Sequence, residues 1–505
     1  MAKTNKFSLS NTRLASCNMG VLVPIGRIHV KAGDSIQQST SLLIRLSPLN
    51  RPVMHPVEVR IHHYFVPNRL IWEDWENFIT GGEDGMDASV HPTATVGGGV
   101  SAGSLDNHLG VPVGCALPFN VLYRRAYGLI WNECFRDQDL QDKVVVSKAS
   151  GNDTTTNASL LRIAWEKDRY TSSRPWPQKG PDVTIPIGAS APIVATGNVT
   201  IPGQNLTTRT AVDGGGSQVD LSSDGAGAVQ ASIVSTGIAA WQPPQDIDGD
   251  DIASVLEADL SGAIGVSVND FRLAMALQRF EEMRARWGSR YTEYLRSIGV
   301  RSSDARLQRP ELLGSGRGMI SFSEVLQTSP VSGIGVGDMT GHGIGGTQSN
   351  RYRRFFEEHG IILTLLSVRP KTIYADGLPK EFDLPTKEAY WQPELEHIGQ
   401  EEILNKEVYH GAALPNGIFG YNDRYDWLRR QESQVTGEFA TSALDEWHLA
   451  RMFGSEPALN SDFIECLPAQ DRVFQVFSND VLWIQAKHSV QARRILAKSG
   501  TSFIQ

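Results

Sequence analysis

Cysteine is scarce in this chain: four in 505 residues (Cys17, Cys115, Cys134 and Cys466), none in a CxxC pair. That spacing excludes a disulfide framework and a structural zinc site, and reads as reduced thiols of a protein made in a cytoplasm. Long apolar runs are missing too. The best candidate, at 361–366, is strand-length against the roughly 18 residues a membrane helix needs, so no membrane insertion is expected. The first 20 residues are polar and lack the apolar segment of a secretory leader. Cations are outnumbered: 47 Lys+Arg face 56 Asp+Glu, a formal charge of −9, unlike the basic balance of a dedicated nucleic-acid-binding domain. What is present is ordinary globular composition, 40% hydrophobic, 8% aromatic and 20% charged. Single cores stop growing at roughly 250–300 residues, so the chain needs two lobes or one core with large insertions.

Strands dominate the pattern. Ile28 and Val30 alternate with Arg27, His29 and Lys31; Leu42, Ile44 and Leu46 alternate next; Val57, Val59, Ile61 and Phe65 share one face of a longer strand that Pro67 closes. Period-two alternation bounded by Gly and Pro is the mark of half-buried antiparallel strands. Near residue 361 both faces are apolar, with Ile361, Leu363 and Leu365 on one side and Ile362, Leu366 and Val368 on the other. Such a strand must be covered on both faces. Arg472–Ser478 and Val481–Ala486 read as further strands, so the sheet pairs segments hundreds of residues apart. One long helix is expected after Asn269 or Asp270, with Leu273, Ala276, Leu277, Phe280, Met283 and Trp287 as its stripe.

Residues 186–266 differ from the rest. They hold one aromatic (Trp241), one basic residue (Arg209) and nine acids, a net charge of −8 that leaves −1 for the remaining chain. A block so poor in aromatics cannot build a large core. The expected organisation is a core from 1–140 and 267–505, an insertion at 141–266, and within it a solvent-directed β subdomain at 186–266.

Motifs that could carry chemistry have plainer explanations. Gly341–Gly346 matches GxGxxG but lacks the βαβ setting of a dinucleotide site, and reads as a flexible glycine loop. Asp246, Asp248, Asp250 and Glu257 take positions 1, 3, 5 and 12 of a calcium loop, but Asp251 stands where the sharp turn needs glycine. Glu73, Asp74 and Glu76 flank a turn that packs Trp72, Trp75 and Phe78 inward. His62 and His63 point to opposite faces of a strand, which makes His63 a hydrogen-bonded core histidine. No catalytic residue, cofactor or metal is expected. Basic residues group as Lys3, Lys6 and Arg13; as Arg351, Arg353 and Arg354 beside Tyr352, Phe355 and Phe356; and as Lys487, Arg493, Arg494 and Lys498. Arginine beside aromatics can hold phosphates and stack bases. The candidates for facing nucleic acid are therefore Lys3, Lys6, Arg13, Arg351, Arg353, Arg354, Arg493, Arg494 and Lys498.

Whole segments are similar to one family. The block from Arg51 through His62-His63-Tyr64-Phe65-Val66-Pro67 to Trp72, with Trp75, Phe78 and Gly81, resembles the early strand-and-turn block of Microviridae major capsid proteins, closest to the gokushovirus-like branch. Trp287-Gly-Ser-Arg-Tyr-Thr-Glu-Tyr-Leu, Asp304-Ala-Arg-Leu-Gln-Arg-Pro-Glu, Ile320-Ser-Phe-Ser-Glu-Val-Leu, Ile398-Gly-Gln-Glu and Phe419-Gly-Tyr-Asn-Asp-Arg-Tyr follow in the family's order. The likeness omits 186–266 and about the last 30 residues.

The resemblance implies a mainly β fold, an eight-stranded antiparallel jelly roll of viral capsid type with long inserted loops and a few helices. It implies the shell protein of a small icosahedral single-stranded-DNA bacteriophage, in about sixty copies, with 186–266 where that branch carries a protrusion. The implied partners are further copies of the chain, packaged DNA through a small basic protein, other virion proteins, and the host surface through the protrusion. The implied location is the virion, assembled in the bacterial cytoplasm. The alternative reading is a β-rich carbohydrate-active or carbohydrate-binding protein, whose mark would be an acid pair about 5–9 Å apart in a cleft.

Overall fold

The alternating segments pair into one antiparallel sheet of ten strands. In chain order they are β1 (Asn5–Ser8), β2 (Asn11–Cys17), β3 (Leu22–Val30), β4 (Ser35–Leu46), β5 (Val57–Pro67), β6 (Glu311–Leu326), β7 (Met339–Gln348), β8 (Tyr352–Phe355), β9 (Gly360–Pro370) and β10 (Leu482–Arg494). This computed structural model describes residues 4–83, 86–181, 183, 193–195, 210–212, 218–220, 256–258, 268–287, 308–326 and 339–498. Eight strands follow one path, β1-β10-β4-β7-β6-β5-β9-β3, while β2 pairs with β10 and β8 with β4 beside it. The sheet curls over on itself, and His488, pointing inward from β10, reaches across to hydrogen-bond the Ile25 carbonyl of β3 at 2.9 Å. The architecture is the expected mainly β, antiparallel jelly roll.

Side-chain alternation sets the layers. Val23, Ile44, Val57, Val59, Ile61, Leu366, Val368, Leu482 and Ile484 fill the inside of the curl. The opposite faces of β3, β5 and β9 carry Leu22, Tyr64, Ile361, Leu363 and Leu365 into a second apolar layer under two helices, α2 (Leu105–Leu109) and α3 (Leu122–Ile130). The Tyr127 hydroxyl ties α3 down, donating to the Leu22 carbonyl and accepting from the Leu161 N–H, both at 2.8 Å. Short α1 (Trp75–Thr80) keeps Glu76 outward and sets Phe78 against Trp72, ring centroids 4.7 Å apart.

Two expectations change. Gly341–Gly346 is not a loop but the middle of β7. Two of its glycines answer close approach: a Cβ at Gly341 would sit 2.8 Å from the Arg51 carbonyl oxygen, and one at Gly343 would overlap Leu46. Arg472–Ser478 is not a strand; Gln470–Val473 makes a helical turn, and pairing begins at Leu482.

The chain divides into two compact units, Met1–Lys179 with Glu281–Gln505, and Gly180–Phe280. In the second, Ile193–Ala195 pairs with Leu256–Ala258 and Thr210–Val212 with Gln218–Asp220, all antiparallel. The aspartates at 246–251 and most of 186–266 lie outside the described residues. The long helix, α4, spans Val268–Trp287 as its spacing requires, with Leu273, Leu277 and Phe280 exposed.

Candidate nucleic-acid interface

Six adjacent strands, β1, β2, β10, β4, β7 and β8, contain no Asp or Glu and eight Lys or Arg. In a chain of net charge −9, that segregation is the main electrostatic feature of the sheet. Register decides which of the eight cations share a face. Lys6 pairs with Arg493, and Arg493 with Ser35, itself the partner of Phe355. Two residues along, Ser8, Gln491, Gln37 and Arg353 form the next row. Further rows run Thr12, Lys487, Ser41, Gln348, then Leu14, Gln485, Leu43, Gly346, then Ser16, Trp483, Arg45, Ile344.

These rows face away from the inside of the curl, because the intervening residues (Ile36, Leu42, Ile44, Ile484, Ala486, Val490 and Ala492) are the buried ones. Neighbouring strands lie about 4.8 Å apart and strands rise about 3.3 Å per residue. Lys6, Arg353 and Arg493 therefore cluster at one end, with Lys487 and Arg45 spaced along a strip about 33 Å long. Trp483 is 49% and Phe355 59% exposed on it. None of these five cations is held in an ion pair among the described residues. Unpaired guanidinium and ammonium groups, interleaved with two exposed rings, with hydroxyls and amides, and with the exposed aliphatic side chains of Leu14, Leu43 and Ile344, make a surface that can hold phosphates and stack bases without reading sequence.

The candidates thus separate. Lys6, Arg353 and Arg493 come together on the strip. Arg351 lies exposed in the short irregular stretch between β7 and β8, and Lys498 is exposed beyond the end of β10. Three others are turned to structural contacts. Arg494 pairs with buried Asp34 (3.1 Å) and donates to the His29 carbonyl (2.7 Å). Arg354 pairs with Glu311 at 3.0 Å. Arg13, at an inward register position opposite Ala486, donates to the His108 carbonyl at 2.9 Å. Burial, then the nearby Arg27 charge, lowers the Arg13 pKa. Lys3 lies outside the described residues. Sequence reasoning left Arg45 and Lys487 off the candidate set, although both occupy the outward phase of their strands' period-two pattern, which is the signal that finds them.

A wound antiparallel jelly roll with long excursions, and with large apolar side chains such as Leu117, Phe382 and Leu414 left more than two-thirds exposed, belongs to the class of viral shell subunits, whose open surface is covered by neighbours. The chain belongs to the family described as Capsid protein (F protein), which it matches over residues 1–504. It is 37% identical to capsid protein VP1 of Bdellovibrio phage phiMH2K over 88% of this chain and 84% of that one. Capsid protein VP1 of Chlamydia phage 1 is 30% identical over 94% and 91% of the two chains, and that of Spiroplasma virus 4 is 31% identical over 91% and 87%. The resemblance to Microviridae major capsid proteins therefore holds, and the chain is a capsid structural protein.

Proposed function

We propose that this chain builds the closed shell of a small icosahedral single-stranded-DNA phage from about sixty copies, assembled in the host cytoplasm, with the acid-free strip contacting the packaged strand. The observation that carries the DNA contact is the segregation of charge: six adjacent strands hold no acids, and five of their eight cations stand together on the outward face. Outside 186–266 the chain is close to neutral, so it cannot balance a genome by itself. A separate small basic protein supplies the bulk cations, and the strip makes local contacts. The acidic block at 186–266 is the surface protrusion within an insertion at 141–266, and it meets the host surface. Other virion proteins complete the particle.

Assembly is tested by sedimentation and electron microscopy. Sixty chains of 55.4 kDa give particles of about 3 MDa, and a chain that stays monomeric under all assembly conditions overturns the reading. The strip is tested with Lys6→Gln, Arg353→Gln and Arg493→Gln combined. Binding of a thymidine oligonucleotide is expected to weaken at least tenfold at low salt, and the slope of log K against log salt to fall by about 2, at roughly 0.7 per phosphate contact on single strands. An unchanged slope removes the strip from the genome interface.

A further inference from the structure

Outside the strip, a cavity of about 230 Å³ opens between β3, α2 and the start of α3, lined among others by Arg27, Asp106, Phe119, Asn120, Tyr123 and Arg124. We propose that it is a binding site for one nucleotide of single-stranded DNA, the base lying against Phe119 and Tyr123 and the phosphate against Arg27. This assignment rests on the reading that the chain contacts packaged DNA.

The charges in the cavity are unequal. Arg124 is buried and held by both oxygens of Asp106, at 3.0 and 2.6 Å. That pair is neutral, and the Arg124 guanidinium, 5.6 Å from the Phe119 ring centroid, backs the ring. Asp106 is therefore spent. Arg27 is exposed and has no carboxylate partner among the described residues. One of its nitrogens donates to the Leu109 carbonyl at the end of α2, and the others are left for an anion. Its guanidinium lies 5.9 Å from the Tyr123 ring centroid. Gly110 makes this seat possible: its backbone is at φ 102°, and a Cβ there would overlap the Arg27 guanidinium. Arg13 adds a second cation nearby, and its Nη1 is buried without a hydrogen-bond partner.

Asn120 supplies direction. Its side-chain oxygen accepts from the Leu122 N–H at 2.8 Å, at the start of α3. That bond fixes the amide and leaves its NH2 to donate to a carbonyl on a base edge. Two rings, a fixed amide donor and an uncompensated guanidinium match a base joined to a phosphodiester. A neutral sugar would use the rings and the amide but would gain nothing from the surplus positive charge. The volume, below the roughly 300–1,000 Å³ of drug-sized sites, suits a single base with its backbone outside.

The test uses the full chain, a fluorescent ten-residue thymidine oligonucleotide, and the same oligonucleotide carrying 5-iodouracil for photocrosslinking. Asn120→Asp keeps the oxygen that caps α3 while replacing the donor with a negative charge; Arg27→Gln removes the cation. Each is expected to weaken binding about tenfold, Arg27→Gln is expected to lower the salt slope by about 0.7, and in the wild type the crosslink is expected on the peptide containing Phe119–Arg124. Both variants binding as tightly as wild type, with that peptide unlabelled, overturns the pocket while leaving the strip standing. Wild-type chain that binds no oligonucleotide overturns the DNA reading itself. Displacement of the oligonucleotide from that peptide by a simple glycoside at millimolar concentration would overturn the assignment in favour of a carbohydrate site.

Discussion

Lowering the pH from 7 to 4.5 is expected to destabilise the jelly roll by several kcal/mol, with His63 as a main contributor. His63 is fully buried inside the curl, between the Thr364 hydroxyl (2.9 Å from Nδ1) and the Ser349 hydroxyl (2.9 Å from Nε2). His488 stands in the same layer, Nδ1 against Thr40 Oγ1 and Nε2 against the Ile25 carbonyl, both at 2.9 Å. Gln38 joins the two halves, donating to Thr364 (3.1 Å) and accepting from the Tyr352 hydroxyl (2.7 Å). Every hydrogen-bond partner in this layer is neutral. Burial, reinforced by the like charges that His488 and His62 would carry, pushes the His63 pKa down to about 3. Burial also lowers His488, and takes His55 down to about 4.

A base whose folded pKa lies below its unfolded value of about 6.5 takes its proton first in the unfolded chain. Stability is therefore full above about pH 6.5 and drains away as the pH falls toward the folded pKa, at up to about 1.4 kcal/mol per pH unit for each such histidine. Between pH 6.5 and 4.5 that amounts to roughly 2–3 kcal/mol for His63, with a similar contribution from His55. Asp137 and Asp153, each held at about 2, lose their contributions only below the ordinary aspartate value near 4. The measurement is the urea midpoint of the full chain at pH 7 and 4.5, beside His63→Gln. The wild type should lose more stability on acidification than the variant; equal losses would remove His63 as the cause.

Asp153→Asn is expected to cost about 3–5 kcal/mol, because it strands a buried cation. The Arg125 and Asp153 side chains are both fully enclosed, with Nη2 2.8 Å from Oδ2. Arg125 also donates to the Ile71 carbonyl (3.1 Å) and the Ala149 carbonyl (2.9 Å), so one guanidinium fastens α3 to the turn after β5 and to the loop near 150. Asp153 accepts in addition from the Thr156 hydroxyl (2.7 Å) and N–H (3.0 Å). Burial works to raise its pKa, but these bonds and the Arg125 charge outweigh burial. Asparagine keeps the shape and some of the bonds but not the charge. Pairing the change with Arg125→Met should recover much of the loss, since no isolated charge then remains. Denaturation of the single and double variants decides it: a single-variant loss below about 1 kcal/mol, or no recovery in the double, contradicts the account.

Much of this was legible in local pattern. Alternation marked β4, β5 and β9, and the two apolar faces of β9 called for cover on both sides, which the inside of the curl and the α2–α3 layer supply. The phase of β5 put His63 inward. Glycine misled, because Gly341–Gly346 has the composition of a loop; only the packing of Leu46 and the Arg51 backbone shows why the strand must lack side chains at Gly343 and Gly341. Arg27 was legible as an outward strand position, but nothing local announced that Tyr123, Asn120 and a spent Asp106 would surround it.

By itself the sequence determined the class of this protein, a capsid jelly roll, because strand periodicity and ordered family blocks are local and survive in one dimension. It also fixed how few spare cations the chain has. Which of those cations act together was decided only by tertiary structure: Lys6, Arg353 and Arg493 lie 140 or more residues apart in the chain, and antiparallel register alone brings them within reach of one strand of phosphates. The same register turned Arg13, Arg354 and Arg494 away, since a shift of one position along a strand reverses the face on which a side chain stands.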